Sequence, residues 1–195
     1  MSPLPNTVLQ APLVPIRPEY SPEERRILLV HARQAIGRAF AHEHLDLTPP
    51  SDHLAEKRGV FTTLHEHGEL RGCVGYVFPT HSLYRSVAET AVGAAFNDTR
   101  FHPLHEAELP ALNVEISILS RLFPIEPEEI EIGRHGLLVS QGSRRGLLLP
   151  QVASDRGWDR ETFLSQTCLK AGLPADEWHH GVTLDAFTTE IFHEN

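Results

Sequence analysis

Cysteine is scarce in this sequence: Cys73 and Cys168 are the only two in 195 residues. Two thiols cannot build a disulfide framework, and their contexts place them on separate elements, so a reducing cytosol is the expected compartment. Basic residues are in the minority, with 17 Lys and Arg against 26 Asp and Glu and a net charge of −9. That balance argues against sequence-independent binding to nucleic acid or to an anionic membrane surface, and leaves room only for a local basic pocket. Apolar runs are short. ILLV (27–30) falls far below the roughly 18 residues a membrane helix needs. The opening MSPLPNTVLQ lacks the basic start and apolar stretch of a signal peptide, so a cytoplasmic protein is expected. Walker-type and dinucleotide-binding glycine loops are missing too, as is HExxH.

What is present suits a globular chain, with 41% hydrophobic and 22% charged residues. The length fits one domain, with room for a small lobe, and a chain this long buries about 70% of its unfolded surface without covalent staples. Five prolines at positions 3, 5, 12, 15 and 18 mark residues 1–20 as an extended arm, leaving 21–195 as a single domain. Ser21, Pro22 and Glu24 form a helix start, with Leu29, Ala32, Ile36, Ala39 and Phe40 at helical spacing, so a helix runs to about residue 44 before LDLTPPSD breaks it. GVFTTLHEHGELRGCVGYVF reads as a hairpin about a His-Gly-Glu turn. Leu83, Val87, Ala91 and Ala94 mark a helix over 82–96, and LNVEISILS alternates as a strand. A second hairpin is expected in HGLLVSQGSRRGLLLP, with SRRG (143–146) as its exposed tip. Asp159 then caps a helix bearing Phe163, Leu164, Thr167, Cys168 and Ala171, stopped by Gly172 and Pro174, and a last strand spans 183–192. Without repeats or βαβ units, this is a mixed α+β architecture with hairpins and three to four packed helices.

LRGCVGY (70–76) is the stretch that asks for an explanation. Glycine inside a strand offers nothing to pack and marks a bulge or a close approach. Alternation puts Val74, Tyr76 and Phe78 on an apolar face towards a core, and Arg71, Cys73 and Gly75 on the other. The two glycines would then clear space over a face holding one sulfur and one positive charge.

Taken in order, VFTTL and LRGCVGY (60–76), AAFNDTRF (94–101), ELP with NVEISILS (108–120), GLLLPQVA (146–153) and CLKAGLP resemble the AMMECR family, also called AmmeMemoRadiSam system protein A. The resemblance covers about residues 22–193. It implies a compact α+β domain with a sheet-lined cleft near the Arg-Gly-Cys motif, and the family name implies association with Memo-type and radical SAM proteins. Arg71, Gly72, Cys73 and Gly75 match the signature, with Val74 where isoleucine is usual. Asp98, Arg100 and Phe101 match an Asp-Pro-Arg-Phe stretch in which Thr99 replaces the proline and His102 stands at another common proline. Glu115 fits the family's third strand.

Cys73 is the first candidate for chemistry. Beside a cation it would serve as a nucleophile or ligand contact, and otherwise it is a small structural sulfur. Cys168, on an apolar helix stripe, reads as core. Arg71 and Arg100 could clamp an anion, with Asp98 paired in the same loop and Gly72 and Gly75 beside the ligand; alternatively Asp98 and Arg100 form a solvated ion pair in a turn. Glu115 is a second catalytic candidate, as a cleft carboxylate. The thirteen histidines include His42/His44 and His65/His67, but one pair ends a helix and the other flanks a turn, so no metal site is expected. No cofactor can be named. Two functions stand: a small-molecule protein, catalytic or not, taking an anionic or nucleotide-like ligand at the Arg-Gly-Cys strand, or a non-catalytic scaffold for a Memo-type or radical SAM partner.

Overall fold

The computed structural model of the protein describes residues 18–194. The expected proline-rich arm lies, up to residue 17, outside the described residues. Helix α1 (Pro22–Ala41) begins where the sequence indicates: Ser21 accepts from the Glu24 amide while Glu24 reaches back to the Ser21 backbone. It ends three residues before the expected limit, at His42 in the left-handed region (φ 53°). Its buried face holds Leu28, His31, Ala32, Ala35 and Ile36, with the expected Leu29 and Phe40 partly buried against the same core, so the stripe is broader than its spacing indicates. The cause is double packing, since α1 lies against both α3 (Leu83–Phe96) and β3 (Leu112–Leu119).

A short α2 (Asp52–Ala55) interrupts the expected break, capped by Ser51. Strands β1 (Val60–Glu66) and β2 (Glu69–Tyr76) then form the predicted hairpin. Its turn, His67-Gly68, has both residues at positive φ (52° and 86°), as a tight two-residue hairpin demands. Helix α3 follows, capped by Ser82. A 3-10 helix (Glu106–Ala111) leads into β3. Beyond it come β4 (Phe123–Pro124), the hairpin β5 (Gly136–Gln141) and β6 (Arg144–Leu148), α4 (Pro150–Asp155) and α5 (Arg160–Lys170). In place of one final strand there are two, β7 (Thr183–Phe187) and β8 (Thr189–His193).

These strands form two antiparallel sheets, ordered β2-β1-β3-β8 and β4-β7-β5-β6. One ribbon belongs to both. The segment β3–β4 pairs with β8–β7 along its length, and the crossing is made at Ser120 and Thr188, which exchange hydrogen bonds of 2.9 and 3.0 Å. Helices α1 and α3 cover one face of the first sheet over a core including Leu28, Leu64, Val87, Val114 and Ile116. Helices α4 and α5 pack on the second sheet, with Leu137, Phe163, Leu164 and Ala186 at its centre. Among the described residues, no helix is long and apolar enough to cross a membrane.

Candidate functional site

Gly72 and Gly75 face opposite sides of β2, and neither clears open space. A Cβ on Gly72 would lie 2.1 Å from the Ala94 carbonyl oxygen, so this glycine lets α3 approach the strand. A Cβ on Gly75 would lie 2.2 Å from the Phe61 ring, which fills the room the glycine leaves. The space read from the sequence as a hollow is therefore occupied by a helix backbone and an aromatic ring. On the core side, Gly72 and Val74 meet α3, while Tyr76 and Phe78, expected in the core, are exposed near the end of the strand.

Pairing shifts between Leu64 and His65: Leu64 faces Gly72, His65 faces Leu70, and Arg71 is the extra residue of a β-bulge. The bulge re-aims Arg71 away from its expected position beside the thiol. Its Nε and Nη2 fork onto Glu108 at 2.7 and 3.2 Å, and Nη1 donates to the His102 carbonyl at 3.0 Å. The Arg71 side chain is 14% exposed. The paired guanidinium holds the Glu108 carboxyl below its usual range. Glu108 also accepts from the His105 amide at 2.6 Å. Arg71 is thus a strut between the bulge and the segment 102–108, with its donor fork engaged on protein.

Cys73 looks out from the other face of the sheet. Its Sγ accepts a hydrogen bond from the Thr63 hydroxyl across the ladder at 3.4 Å. Its backbone is held from outside the sheet. The Cys73 amide donates to Asp98 Oδ2 at 2.9 Å, and Arg100 Nη2 reaches the Cys73 carbonyl at 3.4 Å. Because those groups point off the edge, Thr63 and Cys73 form the close, non-hydrogen-bonded kind of antiparallel pair, which brings the hydroxyl to the sulfur. The Asp98–Arg100 pair expected in the loop is present, with Arg100 Nε and Nη2 at 3.0 and 2.7 Å from the carboxylate. Asp98 Oδ1 also accepts from the Arg100 amide, closing a local turn that needs no proline at Thr99. Its side chain is 6% exposed against 56% for Arg100. Arg100, helped by the Cys73 and Arg100 amides, holds the Asp98 carboxyl well below the ordinary carboxylate range.

Glu115 lies in register with Thr63, and Thr63 with Cys73, so the three form one cross-strand row on the face away from α1 and α3, extended by His193 of β8. Glu115 is therefore two strands from Cys73, about 10 Å at ordinary strand spacing. A hollow of about 530 Å³ opens beside this row, lined by Arg71, Thr99, Arg100, Phe101, His102, His105 and Glu108. It brings together the two expected arginines but has neither Cys73 nor Glu115 in its lining. Arg100 also stacks over the Phe101 ring, 5.5 Å from its centre. Sequence reasoning passed over His102, His105 and Glu108. Their signal is a spacing of three in HPLHEAE; the 3-10 segment brings its N-cap His105 and Glu108 together, and His102 joins them from the loop before it. Among the described residues, no three His, Cys, Asp or Glu side chains group as metal ligands would.

A family model described as AMMECR1 matches residues 29–192. Protein MK0488 of Methanopyrus kandleri is 41% identical over 184 residues, covering 88% of this chain and 89% of that protein. Protein TK0174 of Thermococcus kodakarensis is 43% identical over 178 residues, covering 84% and 86%. The crystal structure of the uncharacterised protein PH0010 from Pyrococcus horikoshii is 40% identical in sequence, with a TM-score of 0.71 over 86% of this chain and 90% of that one. The chain belongs to the AMMECR1 family.

Proposed function

We propose that the protein binds a small anionic molecule, bearing a phosphate or carboxylate group, in the hollow between β2 and residues 99–108. The observation that supports this most is the convergence of the exposed Arg100 guanidinium with His102 and His105 on one hollow that also has an aromatic wall in Phe101. Among the described residues Arg100 uses Nε and Nη2 on Asp98 and Nη2 on the Cys73 carbonyl, leaving Nη1 to donate to a ligand. Arg71 and Glu108 set the shape of the hollow and neutralise one another, so recognition falls to Arg100 and the imidazoles. Phe101 offers a face for the ring of a nucleotide-like ligand. The reading assigns no chemical step to Cys73 or Glu115, which lie outside the lining.

Calorimetric titration with inorganic phosphate, pyrophosphate, citrate and ADP tests the proposal. At least one is expected to bind, more weakly as salt rises. Arg100→Gln should weaken it about 10-fold or more, the usual worth of a charge-assisted hydrogen bond. No binding of any of the four, or equal binding by the variant, would overturn it.

A further inference from the structure

We infer that Arg100 couples occupancy of the hollow to the conformation of the β2 edge at Cys73, a regulation of the site that rests on the anion binding proposed above. One guanidinium serves both places. Arg100 lines the hollow, and the same side chain pairs with Asp98 and reaches the Cys73 carbonyl. Asp98 completes the arrangement by accepting the Cys73 amide.

Strand β2 is an edge of its sheet, so the amide and carbonyl of Cys73 would otherwise be open groups of the kind that pair with another strand. Asp98 and Arg100 stand in for that missing strand, one accepting and one donating. The two halves of the substitute are unequal. The carboxylate is buried and holds its bond at 2.9 Å, whereas the guanidinium is 56% exposed and its bond to the Cys73 carbonyl, at 3.4 Å, is the longest that Arg100 makes.

A phosphate or carboxylate in the hollow competes for this fork, because its best geometry is two parallel N–H bonds from one guanidinium. Nη1 is available, and the second donor comes from Nη2, now shared between Asp98 and Cys73. The longest bond yields first. Occupancy thus releases the Cys73 carbonyl and loosens the edge, leaving Asp98 alone to hold an amide that now opens more often. The half-buried network that anchors the loop, Arg71 with Glu108 and the His102 carbonyl, does not share these atoms and stays in place.

The thiol reports the change. Cys73 is half-buried and reachable, whereas Cys168 is fully buried, so iodoacetamide reads one site. With the tightest of the four anions at saturation, alkylation of Cys73 should accelerate about 3-fold or more in the native chain. In Arg100→Gln the rate should already be raised without anion and respond to it no further. Amide hydrogen exchange at Cys73 in the native chain gives a second reading that does not depend on the variant folding, and protection there should fall on anion binding. If calorimetry shows binding while alkylation and exchange at Cys73 are unchanged, the coupling is wrong and the binding function stands. If none of the four anions binds, both fall.

Discussion

Gly72 has no room for a methyl group. The obstruction is the Ala94 carbonyl, a backbone atom that cannot swing aside, so Gly72→Ala has to push α3 off the sheet. The expected cost is about 2–3 kcal/mol, the upper part of the range for overpacking, read from urea unfolding. Asp98→Asn addresses the other support of Cys73. It leaves the volume unchanged but removes a charged acceptor from the Cys73 amide and the partner of Arg100, for an expected loss of about 1.5–3 kcal/mol at pH 7. The sign with pH follows from the depressed carboxyl. The unfolded chain takes up this proton near pH 4 and the folded one only well below, so the native advantage over the variant is complete near neutrality and shrinks as pH falls below about 4. Unfolding free energies at pH 7 and pH 3 check it. An advantage that held constant between those two values would remove the Asp98–Arg100 pair as its source.

Helices α1 and α3 meet around an unusual pair. His31 is 1% exposed, stacks on Tyr84 with ring centres 3.6 Å apart, and neither ring nitrogen has a hydrogen-bond partner among the described residues. Burial pushes His31 down to about 4, against weaker opposing pulls from the nearby Tyr84 backbone and then from Asp46. A histidine whose folded value is depressed contributes its stability fully above about pH 6.5, and loses it as pH falls towards 4, because only the unfolded chain takes up the proton. Between pH 7 and pH 5 this group alone should cost about 2 kcal/mol. His31→Leu, which keeps the site filled, is expected to lose correspondingly less over the same interval in urea titrations at the two pH values. The position also shows what periodicity can and cannot say. Caps at Ser21 and Asp159 gave two of the helix starts, because a cap is decided within four residues. The buried side of α1 is broader than its spacing indicates, taking in Leu28, His31 and Ala35, since it depends on α3 and β3 arriving from elsewhere in the chain. The glycines signal a bulge, but not its place at Arg71, for the same reason: a slip in pairing is a property of two strands, and alternation along one of them puts Arg71 beside Cys73. That one displaced residue moved the basic hollow off the sulfur and onto Arg100, His102 and His105.

Two sheets and two cores raise the question of whether the chain unfolds once or twice. The LNVEISILS strand and the last strand were legible separately, but not that they pair as one ribbon crossing from sheet to sheet, because Thr188 carries no turn signal. The ribbon argues for one cooperative unit. Strand β3 is internal to the first sheet and β7 to the second, so melting either sheet strips a partner from the strand that continues into the other. Arg145 of β6 over the Phe78 ring, 5.8 Å from its centre, adds a second tie between the halves. Both tryptophans, Trp158 and Trp178, pack with the second core, so their fluorescence reports that half alone. Helices α1 and α3, the two longest, belong to the first half and dominate the far-ultraviolet circular dichroism. Urea titrations followed by the two signals should therefore give coincident midpoints, the mark of a two-state transition. Thr188→Pro, which removes the amide bonded to Ser120 Oγ at the crossing, should separate them by weakening the ribbon without touching either core. Midpoints already apart in the native chain would show two independently stable halves and remove the ribbon as the source of cooperativity.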